Sequence, residues 1–150
     1  MEKAKEKDIL RILEKYGNVD QVRISEDEQQ EIYVLYYNLR NMEVFQESKE
    51  TIELPIIVRF DNKETMSLHT YYTKEQFESE NGDELTQIVN YVNENIERAK
   101  YYVDGTGDIC CEALINTCIC DENELKNALE DLLTGFLFII MNDIGCDHEG

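Results

Sequence analysis

Apolar residues recur every three or four positions in three stretches of the chain, which is the spacing of one buried helix face. The predicted helices cover residues 4–16, 84–98 and 122–141. Asn81 and Glu84 form a capping box at the start of the second stretch, and Asp121 and Glu124 form another at the start of the third. The predicted core stripes are Ile9, Ile12, Leu13 and Tyr16, then Leu85, Ile88, Val89, Val92 and Ile96, and finally Leu125, Ala128, Leu129, Leu132 and Phe136.

Alternating side chains predict strands between these helices. The predicted strands are 31–39, 56–60 and 65–72, with a weak strand at 18–24 that an acidic loop, about residues 25–31, follows. In 65–72, the set predicted to face the core is Met66, Leu68, Thr70 and Tyr72. The strand 31–39 carries apolar or aromatic groups on both faces, so its second face, which includes Tyr36, needs a further explanation.

A hairpin is predicted between the second and third helices. Residues 104–108, Asp-Gly-Thr-Gly-Asp, provide glycines for a tight turn, and the flanking runs can pair as antiparallel strands. The element order is then α-β-β-β-α-β-β-α, which predicts an α+β fold with a single antiparallel sheet of about five strands and helices packed on it. A chain of 150 residues fits one domain, 1–150, in which the acidic loop and the C-terminal tail 143–150 are expected to be flexible.

The charge excludes some partners. With 14 basic and 33 acidic residues the formal net charge is −19, which repels nucleic acid and anionic membranes. Such acidity is most often a solubility device, and the alternative is a dedicated basic partner. The charged N-terminus lacks a signal-peptide core, and no apolar run reaches the roughly 18 residues of a membrane span. We therefore expect a cytoplasmic protein.

Five cysteines, an odd number, are more typical of free thiols in a reducing compartment than of a disulfide framework. If Cys118 and Cys120 lay in a strand they would share a face, but a zinc site would need two further ligands. The adjacent Cys110 and Cys111 would point to opposite faces, and only Cys146 and His148 of the tail could complete the set. The sequence therefore favours buried or idle thiols, with no metal and no cofactor.

Catalytic residues are not apparent either. Nucleophilic catalysis needs a base oriented toward the nucleophile, and the chain has only two histidines. His69 is predicted on the polar face of a strand, and His148 lies in the C-terminal tail. The turn at 104–108 lacks the lysine and the following helix of a phosphate-binding loop. We therefore expect no enzymatic activity.

The stretch from Ile88 to Ile115, followed by a long amphipathic helix, resembles the bacterial sensory-transduction-regulator family called YbjN. In that family a helix with an Asn-x-x-Asn pair, here Asn90 and Asn93, leads into a strand, an acidic-glycine turn and a second strand. The resemblance implies a fold like that of the type III secretion chaperones, which are small, acidic and mostly dimeric proteins that bind segments of their clients. It defines no catalytic residue.

The end of the third predicted helix, residues 136–141, is apolar on all sides. One sheet covers only one side of a helix, so the other side meets either the N-terminal helix or another protein chain. If it meets another chain, the predicted contact residues are Phe136, Phe138 and Ile139, with Tyr36 and Tyr71 from the second face of the sheet. We therefore expect a chaperone-like or regulatory protein-binding module that forms a homodimer or binds a partner segment. The alternative is an acidic immunity protein that neutralises a basic partner.

Overall fold

The computed structural model describes residues 2–22, 31–47, 49–61, 64–77, 82–118 and 120–148. Residues 23–24 of the weak predicted strand, residues 25–30 of the predicted acidic loop and the predicted cap Asn81 lie outside these ranges. For residues 144–148 the structure describes the backbone alone. The helices of the described residues are α1 Glu2–Leu13, α2 Gly82–Asn95 and α3 Glu122–His148. The strands are β1 Gly17–Val22, β2 Glu31–Asn38, β3 Glu53–Phe60, β4 Thr65–Tyr72, β5 Lys100–Val103 and β6 Ile109–Asn116. Short 3-10 helices occupy Leu39–Asn41, Glu43–Phe45 and Lys74–Gln76.

The described strands form one antiparallel sheet of six strands in the order β1-β2-β3-β4-β6-β5. This confirms the predicted α+β fold with a single antiparallel sheet. The sixth strand is β1, the segment that the sequence indicated only weakly, and it pairs with β2 along its whole length. A Cβ atom on Gly17 would lie 1.8 Å from the carbonyl oxygen of Tyr36, so only glycine allows this close pairing at the start of β1.

The chain divides into two compact units, and the first consists of residues 1–68 and 114–126. It contains α1, the strands β1 to β3 and the first turn of α3. Its core includes Leu13, Leu35, Ile56, Val58 and Leu125, all without exposed surface. Ile9 and Leu13 are the buried members of the stripe predicted for α1, because the other two are half-buried.

The second unit consists of residues 69–113 and 127–150, with α2, β5 and most of α3. Its helices bury the predicted stripes on one side, and the fully or almost fully buried members are Leu85, Val89, Val92, Ala128, Leu129, Leu132 and Phe136. Ile88 and Ile96 are the exceptions, since both are only half-buried. The helix α3 also extends past its predicted end at 141, and Asp143 on its last turns is fully buried.

Strand β4 is buried on both faces over most of its length. The predicted core set, Met66, Leu68, Thr70 and Tyr72, is buried as expected, but Ser67 and His69 on the opposite face are buried as well. The expectation that His69 lies on a solvent-facing polar surface is therefore wrong. Its ring is parallel to that of Tyr71, with ring centroids 6.4 Å apart, and this stacking helps to cover it.

Candidate interaction surface

The side chain of Asn93 holds α2 against β5. Its Nδ2 donates to the carbonyl oxygen of Tyr101, and its Oδ1 accepts from the Tyr101 backbone N–H at 2.8 Å. One amide group thus satisfies both backbone groups of a residue in the short strand β5, as a neighbouring strand would. Asn93 is the second asparagine of the pair on which the resemblance to the YbjN family rests, and both it and the first, Asn90, are exposed residues.

Tyr101 in turn holds α3 against β5. Its side chain is 1% exposed, and its hydroxyl lies 2.7 Å from the carbonyl oxygen of Asp131 and 3.1 Å from that of Leu132. A Cβ atom on Gly135 would lie 2.2 Å from the Tyr101 ring, so the glycine makes room for the ring beside the helix. Burial raises the pKa of the Tyr101 hydroxyl, which therefore remains a hydrogen-bond donor at any physiological pH.

The far end of α3 is fixed by a buried polar pair. The hydroxyl of Tyr72, at the end of β4, donates to Oδ2 of Asp143 at 2.5 Å. The same ring packs edge-on against Phe136, with centroids 6.4 Å apart. Because α2 and α3 are both fixed to strands of this unit, the surface that the two helices form between them has a defined geometry.

That surface contains an exposed aromatic pair. The rings of Tyr91 on α2 and Phe138 on α3 stack with centroids 5.4 Å apart and an interplanar angle of 25°. Tyr91 is 53% exposed and Phe138 39% exposed, although aromatic groups of this size are usually more deeply buried. Beside Phe138 on α3, Met141 is 67% exposed.

The aromatic pair lies in an open groove of about 390 Å³. We call it the α2–α3 groove, and the described residues that line it are Glu84, Gln87, Ile88, Tyr91, Phe138 and Asn142. The four members from α2 fall at successive turns of one helix face, which is why the half-buried Ile88 belongs to the groove and not to the core. The Asn142 side chain is held in place because its Nδ2 donates to the Phe138 carbonyl oxygen at 2.8 Å.

The structure separates the five predicted contact residues. Phe136 and Ile139 are 5% and 0% exposed, because they continue the core stripe of α3 one and two turns beyond Leu132. Neither is available to a partner. The prediction that they are contact residues is therefore wrong, and both belong to the core. Phe138, on the opposite side of the helix, is the member of the apolar run that reaches the surface together with Met141.

The two tyrosines of the sheet have different surroundings. In the second unit Tyr71 is 42% exposed, close to the similarly exposed Tyr102, whose hydroxyl donates to Glu112 at 3.3 Å. In the first unit Tyr36 is half-buried and lines an open polar depression of about 630 Å³ with Glu14, Asp20 and Glu53. Tyr71 therefore remains a candidate contact residue, and the surroundings of Tyr36 are acidic instead of apolar.

The two thiols of β6 have surroundings that keep them protonated. Burial, assisted by a hydrogen bond to Asp104, raises the pKa of Cys110 to about 12, and burial raises that of Cys111 as well. Cys118 and Cys120 do not lie in a strand, because β6 ends at Asn116 and these residues lie between it and α3. Within the described residues, no group of three or more potential ligands could hold a metal ion. The side chains of Cys146 and His148 are not among those that the structure describes, so the predicted completion of a site by the tail falls outside this statement.

Sequence reasoning did not identify Tyr91 as a surface residue. The signal was present, because Ile88 and Tyr91 fall together on one face of α2 beside the core stripe and extend its apolar surface. What the sequence could not supply was the partner ring, since stacking on Phe138 depends on how α2 and α3 pack within their unit.

Comparisons with known proteins bear on the fold. No protein-family model matches the chain, and no curated protein matches it. The fold is similar to that in the crystal structure of an uncharacterized protein from Methanothermobacter thermautotrophicus, with a TM-score of 0.62 over 94% of this chain and 97% of that one. The two sequences are 11% identical, so the likeness shows the fold alone. In the part of the chain that the structure describes, no helix has the length and apolar character needed to cross a membrane.

Proposed function

We propose that the protein is a non-enzymatic binding module that takes up a segment of a partner protein in the α2–α3 groove. The observation that carries this proposal is the exposed stack of Tyr91 on Phe138. Aromatic side chains concentrate the binding energy of protein interfaces, because they offer a large apolar area with few rotatable bonds. In this chain two of them lie side by side in a groove and not singly on the surface.

The rigidity of the groove supports the same role. Tyr101 and Asn93 fix α2 and α3 to β5 through backbone hydrogen bonds, so the groove is formed before a partner arrives. A preformed site loses less conformational entropy on binding than a flexible one. The resemblance to the YbjN family, whose fold is like that of secretion chaperones, favours the same class of function.

The chemistry of the cysteines gives little support to catalysis. A nucleophilic or metal-binding cysteine acts as the thiolate, and burial raises the pKa of Cys110 to about 12 and that of Cys120 to about 11. These thiols are protonated near neutral pH. Binding therefore accounts for the features of the chain better than a reaction does.

A pull-down from the source organism tests the proposal. Phe138→Glu places a charge in the groove, and Val103→Glu places one on β5, where Val103 is 45% exposed. We expect the parent and Val103→Glu to retain the same partner and Phe138→Glu to lose it, because burying an unpaired charge in a contact is costly. Equal retention by both variants would contradict the proposal, provided that circular dichroism shows both to be folded.

Light scattering of the purified parent and of Phe138→Glu tests whether the occupant of the groove is a second copy of the chain. A parent dimer that Phe138→Glu converts to a folded monomer would make the groove a homodimer contact. If the parent is monomeric throughout the micromolar range, the occupant of the groove is another protein. Repeating the pull-down at high salt tests the alternative of an acidic neutraliser, whose association would slow steeply as salt screens its charge.

A further inference from the structure

The α2–α3 groove has one charged residue among its described lining residues, and that residue is acidic. Glu84 is exposed at one end, and the other described lining residues are neutral. The sequence of α2 contains Asp83, Glu84 and Glu94 but no lysine or arginine, and α3 contains no lysine or arginine after Lys126. The apolar centre of the groove thus lies on helix segments, α2 and the part of α3 after Lys126, that contain no basic lysine or arginine.

Charge of one sign disfavours a second copy of the chain as the occupant. A twofold-symmetric contact would place the same patch on both sides, so neither α2 would supply a cation to pair with Glu84 of the other copy. Like charges brought together across an interface oppose association. The net charge of −19 adds to this repulsion at low ionic strength.

We propose that the occupant of the groove is a cationic amphipathic helix of another protein, with apolar residues at helical spacing flanked by lysine or arginine. This inference rests on the proposed function and adds the chemistry of the partner. The apolar side chains of such a helix would pack on Tyr91, Phe138 and Ile88, and a basic side chain would pair with Glu84. The open shape of the groove, bounded by two helices, suits a third helix better than an extended strand, which needs a sheet edge.

Fluorescence anisotropy with defined peptides tests this proposal. The probe is a labelled helical peptide of about 18 residues, long enough to be helical in water, with leucines at i, i+3, i+4 and i+7 and lysines on the flanks. A second peptide keeps the leucines and carries glutamates in place of the lysines. A third keeps the lysines and carries serines in place of the leucines.

The full-length protein should bind the lysine–leucine peptide and neither of the other two. Phe138→Ala should weaken this binding roughly 30-fold, the size expected for an interface aromatic. Val103→Ala is the matched control, since it removes an exposed apolar group without changing the net charge and should bind as the parent does. If Phe138→Ala unfolds by circular dichroism, Tyr91→Ala takes its place, with the same expected loss.

Charge variants test the acidic side of the groove. Glu84→Lys should weaken binding roughly two- to fivefold at low salt. Glu75→Lys, which changes the net charge equally on the exposed 3-10 helix at 74–76, should weaken it less. Equal effects would indicate a response to overall charge and would overturn the proposal.

Three further results overturn the inference. One is equal binding of the lysine and glutamate peptides, and another is no binding of the lysine–leucine peptide by the parent. The third is equal binding by Phe138→Ala and Val103→Ala, which would mean that the peptide does not bind through Phe138. The proposed function stands or falls separately, because a partner lost specifically by Phe138→Glu in the pull-down supports the groove as a binding site whatever the charge of that partner.

Discussion

A buried polar pair, Tyr72 and Asp143, offers a sharp test at the scale of single residues. Tyr72→Phe removes a hydroxyl that donates to a carboxyl group with no exposed surface, and the packing of the ring on Phe136 stays in place. Loss of a hydrogen bond to such a group costs roughly 1–3 kcal/mol. We expect urea unfolding to show a decrease of this size in the free energy of unfolding.

The matched control is Tyr102→Phe. The Tyr102 hydroxyl donates to Glu112 at 3.3 Å, but the side chain is 43% exposed and water can replace the bond. The expected change is below about 0.5 kcal/mol. If the two variants lost equal stability, the Tyr72–Asp143 pair would not fix the end of α3.

The turn between β5 and β6 makes a pH-dependent contribution. Oδ1 of Asp104 accepts hydrogen bonds from the hydroxyl and the backbone N–H of Thr106 and from the N–H of Asp108. These bonds, that of the Thr106 hydroxyl first, hold the pKa of Asp104 below its ordinary value of 3.8. The stabilisation by the ionised group is therefore complete above about pH 4 and is lost as the pH falls through the lower pKa of the folded state.

Asp104→Asn removes this dependence. Chemical unfolding of the parent and the variant across pH 2–7 should show the parent to be more stable near neutrality, with a difference that shrinks below about pH 3.8. The difference has this sign because Asp104 has the higher pKa in the unfolded chain and therefore binds its proton there at a higher pH than in the folded chain. A difference that is constant over the whole range would mean that the carboxylate charge contributes nothing to the turn.

At the scale of elements, the absence of a side chain at Gly135 allows α3 to pack closely on β5. Alanine is the better helix former by about 1 kcal/mol, so Gly135→Ala would stabilise a helix that had open space beside it. Here the new Cβ atom would lie 2.2 Å from the Tyr101 ring, which is buried and hydrogen-bonded and cannot move aside. We therefore expect a net loss of roughly 1–3 kcal/mol in urea unfolding.

Thr134→Ala is the control on the same helix. Thr134 is exposed, so the variant gains helix propensity without meeting a neighbour and should be neutral or slightly more stable than the parent. If Gly135→Ala were also neutral, α3 would not be held against β5 as closely as the structure shows.

The elements themselves were largely predictable from the sequence. The cap at Asp121 is present, since its Oδ1 accepts from the Glu124 N–H at 2.8 Å, and β4 begins and ends at the predicted residues. β1 was underestimated because its pairing with β2 depends on a glycine and on a partner strand, and neither produces an alternating pattern. α3 was predicted too short because its polar residues Asn142 and Asp143 suggest an end, although Asp143 is satisfied inside the protein by Tyr72.

The candidate site was predictable only in part. The sequence indicated that the apolar run 136–141 exceeds what one sheet can cover, and Phe138 is indeed exposed. It could not say which members face outward, because that depends on the rotation of α3 in its unit, and the structure moves Phe136 and Ile139 to the core. Tyr91 was missed because only tertiary packing brings it onto Phe138.

At the scale of the whole molecule, the α2–α3 groove is the place where we propose that another protein binds. Position-specific photo-cross-linking tests this most directly, with a photoreactive phenylalanine at position 138 or, as the control, at position 103, in the full-length protein expressed in the source organism. We predict a covalent adduct with one other polypeptide from position 138 and none from position 103. Adducts from position 103 alone, or none from 138 while the pull-down still retains a partner, would contradict the account.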